Sequence, residues 1–187
     1  NTDSPGGVCA LRGCQAKKYF YEVAELVARS HHLLGKGVST TPVADWHQIL
    51  AEKNSFTKEI PENTVNNLKG NGITYIKGKA LFVDESTVAV NNEHLAADYC
   101  VVAVGAKPTS LPFEGSEFMI TSDDFLELKK LPERIAFIGG GFISFEFAHF
   151  AARLGGSKGN IHILEADDRV LSPFDSDMVE RLVEASE

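Results

Sequence analysis

One stretch limits the possible folds of this chain more than any other: residues 134–169, "RIAFIGGGFISFEFAHFAARLGGSKGNIHILEADDR". Its pattern predicts a short apolar strand, a glycine turn, a helix to about Leu154, a polar loop and a second apolar strand that ends at Glu165. A strand, helix and strand of this length form one crossover motif, so the two strands should be parallel. The stretch therefore predicts an α/β fold.

The turn in this motif has the G-x-G-x-x-G spacing of dinucleotide-binding sites, with Gly139, Gly141 and Ser144 in the three positions. Glycine at 139 allows a tight turn. Glycine at 141 lets a pyrophosphate approach the amides at the helix N-terminus, where the helix dipole favours anions. Ser144 replaces the glycine that serves close packing of helix on strand. The sequence therefore predicts a dinucleotide site, and the alternative is a glycine turn that binds no ligand.

Glu165 lies 26 residues after Gly139, at the end of the second predicted strand. A carboxylate there can accept hydrogen bonds from the ribose 2′-hydroxyl of NADH and would repel the 2′-phosphate of NADPH. No arginine follows closely until Arg169. We therefore favour NADH, with NADPH as the second candidate. The alternative is that Glu165 is an ordinary solvated charge.

The rest of the chain divides into helical and strand-like stretches. Three- and four-residue apolar spacing predicts a helix within 17–37 and another within 40–54, the second opened by Thr41 and Pro42 in cap-like positions. A further helix to Leu68 should bend or restart at Pro61. Residues 72–106 predict short strands broken at 84–86 and 91–92. The last of these, "YCVVAVG", is apolar throughout, so we expect a strand covered on both faces and a buried, inert Cys100.

Composition narrows the class of protein. With 187 residues and 43% hydrophobic content, the chain can bury a core, and its formal charge of −8 makes nucleic acid an unexpected partner. No apolar run predicts a membrane span, and no leader segment is recognisable. Three cysteines favour a reducing, cytoplasmic setting, where a cysteine pair is expected to react. Because the sequence begins without methionine and stops inside a predicted helix, we expect a fragment of a longer protein.

Two of the cysteines lie in "PGGVCALRGCQAKK", residues 5–18, with four residues between them. In a regular helix their α-carbons would be about 8.6 Å apart, whereas a disulfide needs roughly 7 Å or less. Cys9 and Cys14 can therefore bond only in a loop or distorted turn, which Gly13 permits. Lys17, Lys18 and a following helix N-terminus should lower the thiol pKa values. Zinc is disfavoured because no second ligand pair has suitable spacing, but a structural disulfide and a redox-active one both stay open.

Three stretches together resemble the class I flavoprotein disulfide reductases, the family of glutathione reductase, lipoamide dehydrogenase and mercuric reductase. "GGVCALRGCQAKK" is similar to their redox-active cysteine segment, "VVAVGAKPTSLP" to their apolar strand with spaced prolines, and "GGGFISFE" to their nicotinamide-nucleotide turn. The resemblance implies Rossmann-like FAD- and NAD(P)-binding domains with a small inserted β-meander. Residues 1–130 would be a partial FAD-binding domain with the redox disulfide, and 131–187 the N-terminal half of the NAD(P)-binding domain.

The resemblance also implies an activity: an NAD(P)H:disulfide oxidoreductase in which electrons pass from NAD(P)H through FAD to a Cys9–Cys14 disulfide and on to a disulfide or lipoyl-type substrate. Cys9 would exchange with substrate and Cys14 would contact the flavin. Lys17 would lie near the flavin's reactive nitrogen and pair with Glu146. Phe142 would gate the nicotinamide pocket, unless it is a core residue. A non-catalytic homologue, in which the cysteines only brace the fold, is the alternative.

The predicted cofactor contacts follow from the same resemblance, and no metal is expected. They are Gly7, Val8, Lys17, Ala80, Val104, Gly105, Gly139, Gly141, Phe142, Ile143, Glu146 and Glu165. Val8 and Val104 stand where the family has threonine, and Ala16 stands where it has proline, so two hydroxyl contacts to FAD are missing. The family's first glycine turn, its histidine acid/base and its dimerisation domain would lie outside this chain. We therefore expect a homodimer for the full-length protein and no turnover by this chain alone.

Overall fold

The computed structural model describes residues 4–155 and 160–187. The described helices are α1 (Gly7–Leu11), α2 (Cys14–His32), α3 (Trp46–Gly70), α4 (Ser122–Phe125), α5 (Phe142–Gly155) and α6 (Ser176–Ser186). The strands are β1 (Ala80–Phe82), β2 (Thr87–Val90), β3 (Glu93–Ala96), β4 (Ile135–Ile138) and β5 (Ile161–Leu164), and Ser116–Phe118 forms a 3₁₀ turn. None of these helices is long and apolar enough to cross a membrane. The predicted polar loop at 156–159 lies outside the described residues.

These residues form two compact units. The first contains 4–17 and Glu52–Leu126, and the second contains Lys18–Ala51, 127–155 and 160–187. The candidate cysteine segment and the β-meander belong to the first unit, while the glycine turn belongs to the second. The assignment of 1–130 to an FAD-binding domain and of 131–187 to an NAD(P)-binding domain stays a prediction.

The predicted β-meander is present in the first unit. Strand β2 pairs antiparallel with β1 on one side, with Leu81 opposite Ala89, and with β3 on the other, with Val88 opposite Leu95. The first turn is fixed by Asp84, whose carboxylate accepts a hydrogen bond from the Ser86 N–H at 2.9 Å. These turns fall at the two breaks that the sequence indicated, because acidic and amide side chains at those positions support tight turns.

In the second unit β4 and β5 are parallel, with Ile135 opposite Ile161 and Ile138 opposite Leu164. Helix α5 connects them and packs on both strands. It buries a continuous apolar face, consisting of Phe145, Phe147, Ala148, Phe150, Ala151 and Leu154. The predicted parallel pair is therefore confirmed, and burial of this apolar face stabilises the packing of the helix on the two strands.

Aromatic residues join α2 to α5 and to the start of α3 inside the second unit. The Phe20 ring lies 4.8 Å from the Trp46 ring and 6.3 Å from the Phe150 ring, measured between centroids. The Trp46 indole N–H donates to the carbonyl of Leu128 at 2.6 Å. Buried aromatic rings of this size contribute most of the apolar area of a small core.

Helix α3 differs from its prediction at its start and at its proline. It begins at Trp46 rather than near Thr41 and Pro42, and the Asp45 carboxylate accepts from the Gln48 N–H at 3.1 Å. Burial begins at Trp46, since Val43 is 94% exposed. The helix also runs through Pro61 to Gly70 without a restart. Proline inside a helix removes one backbone hydrogen bond, and the helix nevertheless continues past Pro61.

The predicted covered strand at 99–105 is wrong for this structure. These residues form no strand, and Tyr99 is 92% and Val104 89% exposed. Cys100, expected to be buried, is exposed as well. A strand needs a hydrogen-bonded neighbour, and no neighbouring strand pairs with this segment in the described part of the chain.

Candidate functional site

The two cysteines of the first unit lie on either side of a break between two helices. Cys9 belongs to α1, and α2 begins at Cys14. Between them Arg12 leaves the helical conformation, with φ of −142° and ψ of 12°. A Cβ on Gly13 would lie only 3.0 Å from the Val8 carbonyl oxygen, so glycine lets α2 start close against α1. The distorted turn that the spacing requires is therefore present. We call residues 9–14 the cysteine bend.

Contacts with later elements fix the cysteine bend. The Arg12 guanidinium forms an ion pair with Asp123 of α4, with 3.2 Å between Nη1 and the carboxylate oxygen. On the other side of α1, a Cβ on Gly6 would lie 2.5 Å from a methyl group of Ile60 in α3. Glycine at position 6, where φ is +129°, thus allows the chain to enter α1 against α3.

The two thiols are in contact. Both cysteines are exposed and free in this structure. The Cys9 and Cys14 side chains hydrogen-bond to one another, and the backbone N–H groups of Cys14 and Gln15, at the start of α2, donate to the Cys9 sulfur. Two thiols that interact directly are candidates for interconversion between dithiol and disulfide.

The expected lowering of the thiol pKa is wrong for Cys9. Its hydrogen bond with Cys14 is the largest influence and raises the pKa of Cys9, and desolvation and repulsion by a Cys14 thiolate act in the same direction. The backbone N–H groups of Gln15 and Cys14 lower it, but by less. A second negative charge beside the first is unfavourable, so the arrangement favours one thiolate in the pair over two.

In the second unit the glycine turn, residues 139–141, connects β4 to the N-terminus of α5. Gly139 has φ of +97°, a conformation that strongly favours glycine, and its N–H donates to the Leu164 carbonyl of β5 at 2.8 Å. Gly141 is exposed, and a Cβ built on it would meet no atom within 4 Å. Open space at a helix N-terminus is what the pyrophosphate of a dinucleotide requires, so the turn fits that group.

Glu165 contacts the glycine turn directly. One carboxylate oxygen accepts from the Gly140 N–H at 2.6 Å, and the other accepts from the N–H groups of Ala166 at 2.6 Å and Asp167 at 3.1 Å. The hydrogen bonds from Asp167, Gly140 and Ala166 lower the pKa of Glu165, so it is ionised at neutral pH. Glu165 is exposed, but these three hydrogen bonds tie its carboxylate to the backbone, so it differs from a charge that only water solvates.

Sequence reasoning missed Gly140 and the loop that packs against it. A Cβ on Gly140 would lie 2.6 Å from Val170 and 2.9 Å from the Glu165 carboxylate. The Gly140 carbonyl accepts from the Leu171 N–H at 2.8 Å, and Leu171 has φ of +49°. Such a backbone conformation at leucine has no signal in the sequence. The triple glycine was the one available hint that the middle residue is also constrained.

An apolar cavity of about 420 Å³ lies beside the turn, between α5 and α6. Its walls carry two ionisable side chains, Glu146 and His149, among apolar ones. Phe142 is 55% exposed at its edge, which rules out its interpretation as a core residue. Ile143 is exposed too. The remaining apolar lining residues are Phe145, Leu171, Phe174, Met178, Val179 and Leu182.

The remaining predicted cofactor residues lie at accessible positions of the first unit. Gly7 and Gly105 both have positive φ, and no atom lies within 4 Å of a Cβ built on either. Their backbone can therefore approach a ligand closely, which fits a flavin dinucleotide. The side chains of Val8, Ala80 and Val104 are exposed. Lys17 is half-buried in the first unit and Glu146 half-buried in the second, so their pairing stays a prediction.

No group of three or more His, Cys, Asp or Glu side chains that could hold a metal ion occurs among residues 4–155 and 160–187. The two features with a chemical interpretation are therefore the cysteine bend and the glycine turn. A redox-capable thiol pair together with a turn shaped for a dinucleotide indicates the class of nucleotide-dependent oxidoreductases.

Comparison with known proteins agrees with this class. Residues 4–187 match the family described as pyridine nucleotide-disulphide oxidoreductase, and the chain belongs to that family. It is 32% identical to glutathione reductase, chloroplastic/mitochondrial, of Pisum sativum over 176 residues, which cover 93% of this chain and 31% of that protein. It is 31% identical to the dihydrolipoyl dehydrogenase of Mycoplasma genitalium over 183 residues, which cover 94% of this chain and 39% of that protein.

A solved structure shows the same fold. The Cu(II) complex of the HOCl-induced flavoprotein disulfide reductase RclA from Escherichia coli aligns with a TM-score of 0.79 and 23% identity, over 100% of this chain and 39% of that one. The Rossmann-like fold expected from the sequence is thereby confirmed. This chain spans less than two fifths of the length of each of these three proteins.

Proposed function

We propose that this chain is part of an FAD-dependent NAD(P)H:disulfide oxidoreductase that acts on a small disulfide or lipoyl-type substrate through Cys9 and Cys14. The observation that carries the proposal is the contact between the two thiols across the break from α1 to α2, in a chain of the pyridine nucleotide-disulphide oxidoreductase family. The substrate site, the acid/base group and the proposed homodimer contacts would be supplied by the whole protein, acting in the cytoplasm.

In the proposed reaction the cysteine pair exchanges with the substrate disulfide. A Cys9 thiolate attacks one substrate sulfur, breaks the substrate S–S bond and releases the first thiolate. Cys14 then attacks the mixed disulfide at the Cys9 sulfur, releases the second thiolate and forms the Cys9–Cys14 disulfide. The substrate gains two electrons that the cysteine pair loses, and the released thiolates take up two protons.

The surroundings of Cys9 both favour and oppose the thiolate that the first step needs, and on balance they raise the pKa of Cys9. Its sulfur faces the N–H groups of Cys14 and Gln15 at the start of α2, which stabilise negative charge there. The neighbouring Cys14 opposes a second ionisation. A pair that carries one thiolate and one thiol suits an attack by one sulfur followed by a resolving attack by the other.

The cofactor residues are assigned from the family resemblance and from their accessible positions. Gly7, Val8, Lys17, Ala80, Val104 and Gly105 would hold FAD. When bound, FAD supplies two-electron transfer between reduced nicotinamide and the cysteine pair. The glycine turn would bind the pyrophosphate of the nicotinamide dinucleotide, and Phe142, Ile143 and Glu146 would line its nicotinamide end. A Lys17–Glu146 pair would tune the flavin's protonation.

We propose NADH as the preferred donor. The ionised Glu165 would repel the 2′-phosphate of NADPH. The Arg169 guanidinium, the first arginine after Glu165, donates to the carbonyls of Ser172 and Phe174 in its own loop. It is therefore not poised to receive that phosphate. Titration should give a lower Kd for NADH than for NADPH, and the reverse order would refute this preference.

The test counts thiols in the full-length protein loaded with FAD. Anaerobic addition of NADH should convert the Cys9–Cys14 disulfide into two thiols, seen as two additional alkylations by mass spectrometry. Cys14→Ser should abolish both. Cys100→Ser is the matched control, because Cys100 is exposed but lies outside the cysteine bend, and it should behave as the wild type. If NADH exposes no new thiols in the FAD-loaded wild type, the cysteines only brace the fold and the proposal fails.

A further inference from the structure

The backbone of Gly140 is held by two hydrogen bonds, one from its N–H to the Glu165 side chain and one to its carbonyl from the loop that contains Leu171. The Glu165 carboxylate accepts from the Gly140 N–H at 2.6 Å, and the Leu171 N–H donates to the Gly140 carbonyl at 2.8 Å. Both contacts are made within the protein, so the chain's own groups hold the middle of the glycine turn.

Counting acceptor positions limits what else Glu165 can do. A carboxylate has about four lone-pair positions. The N–H groups of Gly140, Ala166 and Asp167 occupy three of them, and all three hydrogen bonds are made within the protein. A ribose hydroxyl could use only the position that is left. Most of the hydrogen-bonding capacity of Glu165 is thus directed at the backbone.

The loop 169–174 completes the arrangement. Arg169 donates from Nη1 to the Phe174 carbonyl at 2.9 Å and from Nη2 to the Ser172 carbonyl, which closes the loop on itself. The closed loop places the Leu171 N–H on Gly140 and the Val170 side chain beside the Gly140 α-carbon. Leu171 is buried despite its unfavourable backbone conformation, so packing holds it there.

We propose that Glu165 and the Arg169-closed loop are positioning elements that hold the glycine turn in its anion-binding conformation. This inference rests on the proposed function, because it assigns how the turn is prepared for a dinucleotide. The exposed backbone of Gly141 then faces the pyrophosphate, and less of the turn has to be ordered when the dinucleotide binds. Glu165 acts mainly through the turn, and its contact with the ribose is secondary.

The test separates positioning from ribose contact by pairing a variant with a ligand analogue. Glu165→Gln keeps the side-chain size, but its NH₂ group cannot accept, so at least one backbone N–H loses its partner. We expect it to weaken NADH, and also the NADH analogue lacking the 2′-hydroxyl of the adenosine ribose, by a similar factor of about tenfold. Asp168→Asn, an equal change of charge three residues away, should weaken neither. If Glu165→Gln lowered the affinity for NADH but not the affinity for the analogue, the proposal would be overturned.

A second measurement needs no nucleotide. Amide hydrogen exchange of the full-length protein, followed by mass spectrometry, should be faster in 139–142 for Glu165→Gln, and for Arg169→Gln, than for the wild type or Asp168→Asn. Unchanged exchange in both variants would overturn the proposal whatever the binding data show. If the wild type binds neither NADH nor NADPH, the proposed function fails, while the exchange rates still decide whether these residues hold the turn.

Discussion

Neighbouring glycines in the turn at 139–141 meet different surroundings. Gly140 is enclosed by Val170 and the Glu165 carboxylate, whereas a side chain at Gly141 would project into open space. In the cysteine bend, Gly13 is likewise close to the Val8 carbonyl. Glycine therefore serves close packing at Gly140 and Gly13, whereas Gly141 borders open space where we propose that the dinucleotide binds.

This difference predicts opposite effects of two alanine substitutions. Gly140→Ala should lower the free energy of unfolding by about 1–3 kcal/mol, because its Cβ displaces Val170 or breaks the Glu165 contact. Gly141→Ala should change it by less than about 0.5 kcal/mol, yet weaken NADH binding because its methyl group occupies the space of the pyrophosphate. Urea unfolding and nucleotide titration measure the two effects. Equal loss of stability in both variants would contradict the prediction.

The cysteine bend yields a second residue-level prediction. Gly13→Ala places a Cβ 3.0 Å from the Val8 oxygen, so α1 must shift and the contact between the two sulfurs becomes strained. We expect the Cys9–Cys14 disulfide to be reduced more easily than in the wild type. Equilibration in glutathione buffers followed by alkylation measures the midpoint. Gly70→Ala, whose Cβ meets no atom within 4 Å, is the control. A midpoint unchanged by Gly13→Ala would refute the expectation.

Helix α5 contacts several parts of the second unit. Its Arg153 forms an ion pair with Glu25 of α2, at 2.6 Å, and its His149 ring lies 3.2 Å from the Ser186 hydroxyl of α6. Its first residues follow the glycine turn. A change in the protonation of one side chain on this helix can therefore affect both its packing and the cavity beside it.

His149 predicts a pH dependence of stability. Burial lowers the pKa of His149 below its ordinary value of 6.5, Arg153 lowers it further, and Glu25 opposes both. The unfolded chain binds the proton more readily than the folded chain. The stability contributed by neutral His149 is therefore full above about pH 6.5 and is lost as the pH falls through the lower, folded value.

Thermal unfolding of His149→Gln between pH 7.5 and 5.5 measures this contribution. The variant should lose less stability than the wild type as the pH falls, because it has no imidazole to protonate at this position. His162→Gln is the matched control, since His162 is exposed on β5 and should leave the slope unchanged. A slope in His149→Gln equal to that of the wild type would contradict the prediction.

Element types could be predicted from the sequence where periodicity is strong, and boundaries could not. The helices around Phe20 and Ile49, the meander and the parallel pair were all indicated by apolar spacing and turn residues. The start of α3 was not, because Asp45 and Thr41 are both acceptable caps and only the burial of Trp46 selects the former.

Burial and regular secondary structure are concentrated in some parts of the described chain and absent from others. The buried side chains concentrate on α2, α5 and the start of α3. Residues 99–110, in contrast, are exposed throughout and form no helix or strand, although their composition is strongly apolar at 99–104. A segment without a hydrogen-bonded neighbour opens at little cost in free energy.

Limited proteolysis of a protein with these 187 residues tests whether the exposed segment 99–110 opens more readily than the buried helices. Chymotrypsin should cut first after Tyr99, which is 92% exposed, and should leave the aromatic residues of α2 and α5 intact. Tyr99→Thr removes the preferred bond and should delay the first cleavage. First cuts within α2 or α5, identified by mass spectrometry, would show that the buried helices are less stable than the structure implies.

By itself the sequence determined the family, the order of the elements, the parallel crossover and the two motifs with chemical meaning. These features can be predicted from local spacing, because a turn, a helix face and a C-x₄-C segment each involve residues that are close in the chain. Only the tertiary structure decided that Cys9 and Cys14 touch across a helix break, that Cys100 is exposed, and that Glu165 and Leu171 hold Gly140. Those outcomes depend on contacts between segments far apart in sequence, or on backbone conformations such as that of Leu171, and a single sequence contains no pattern that reports either.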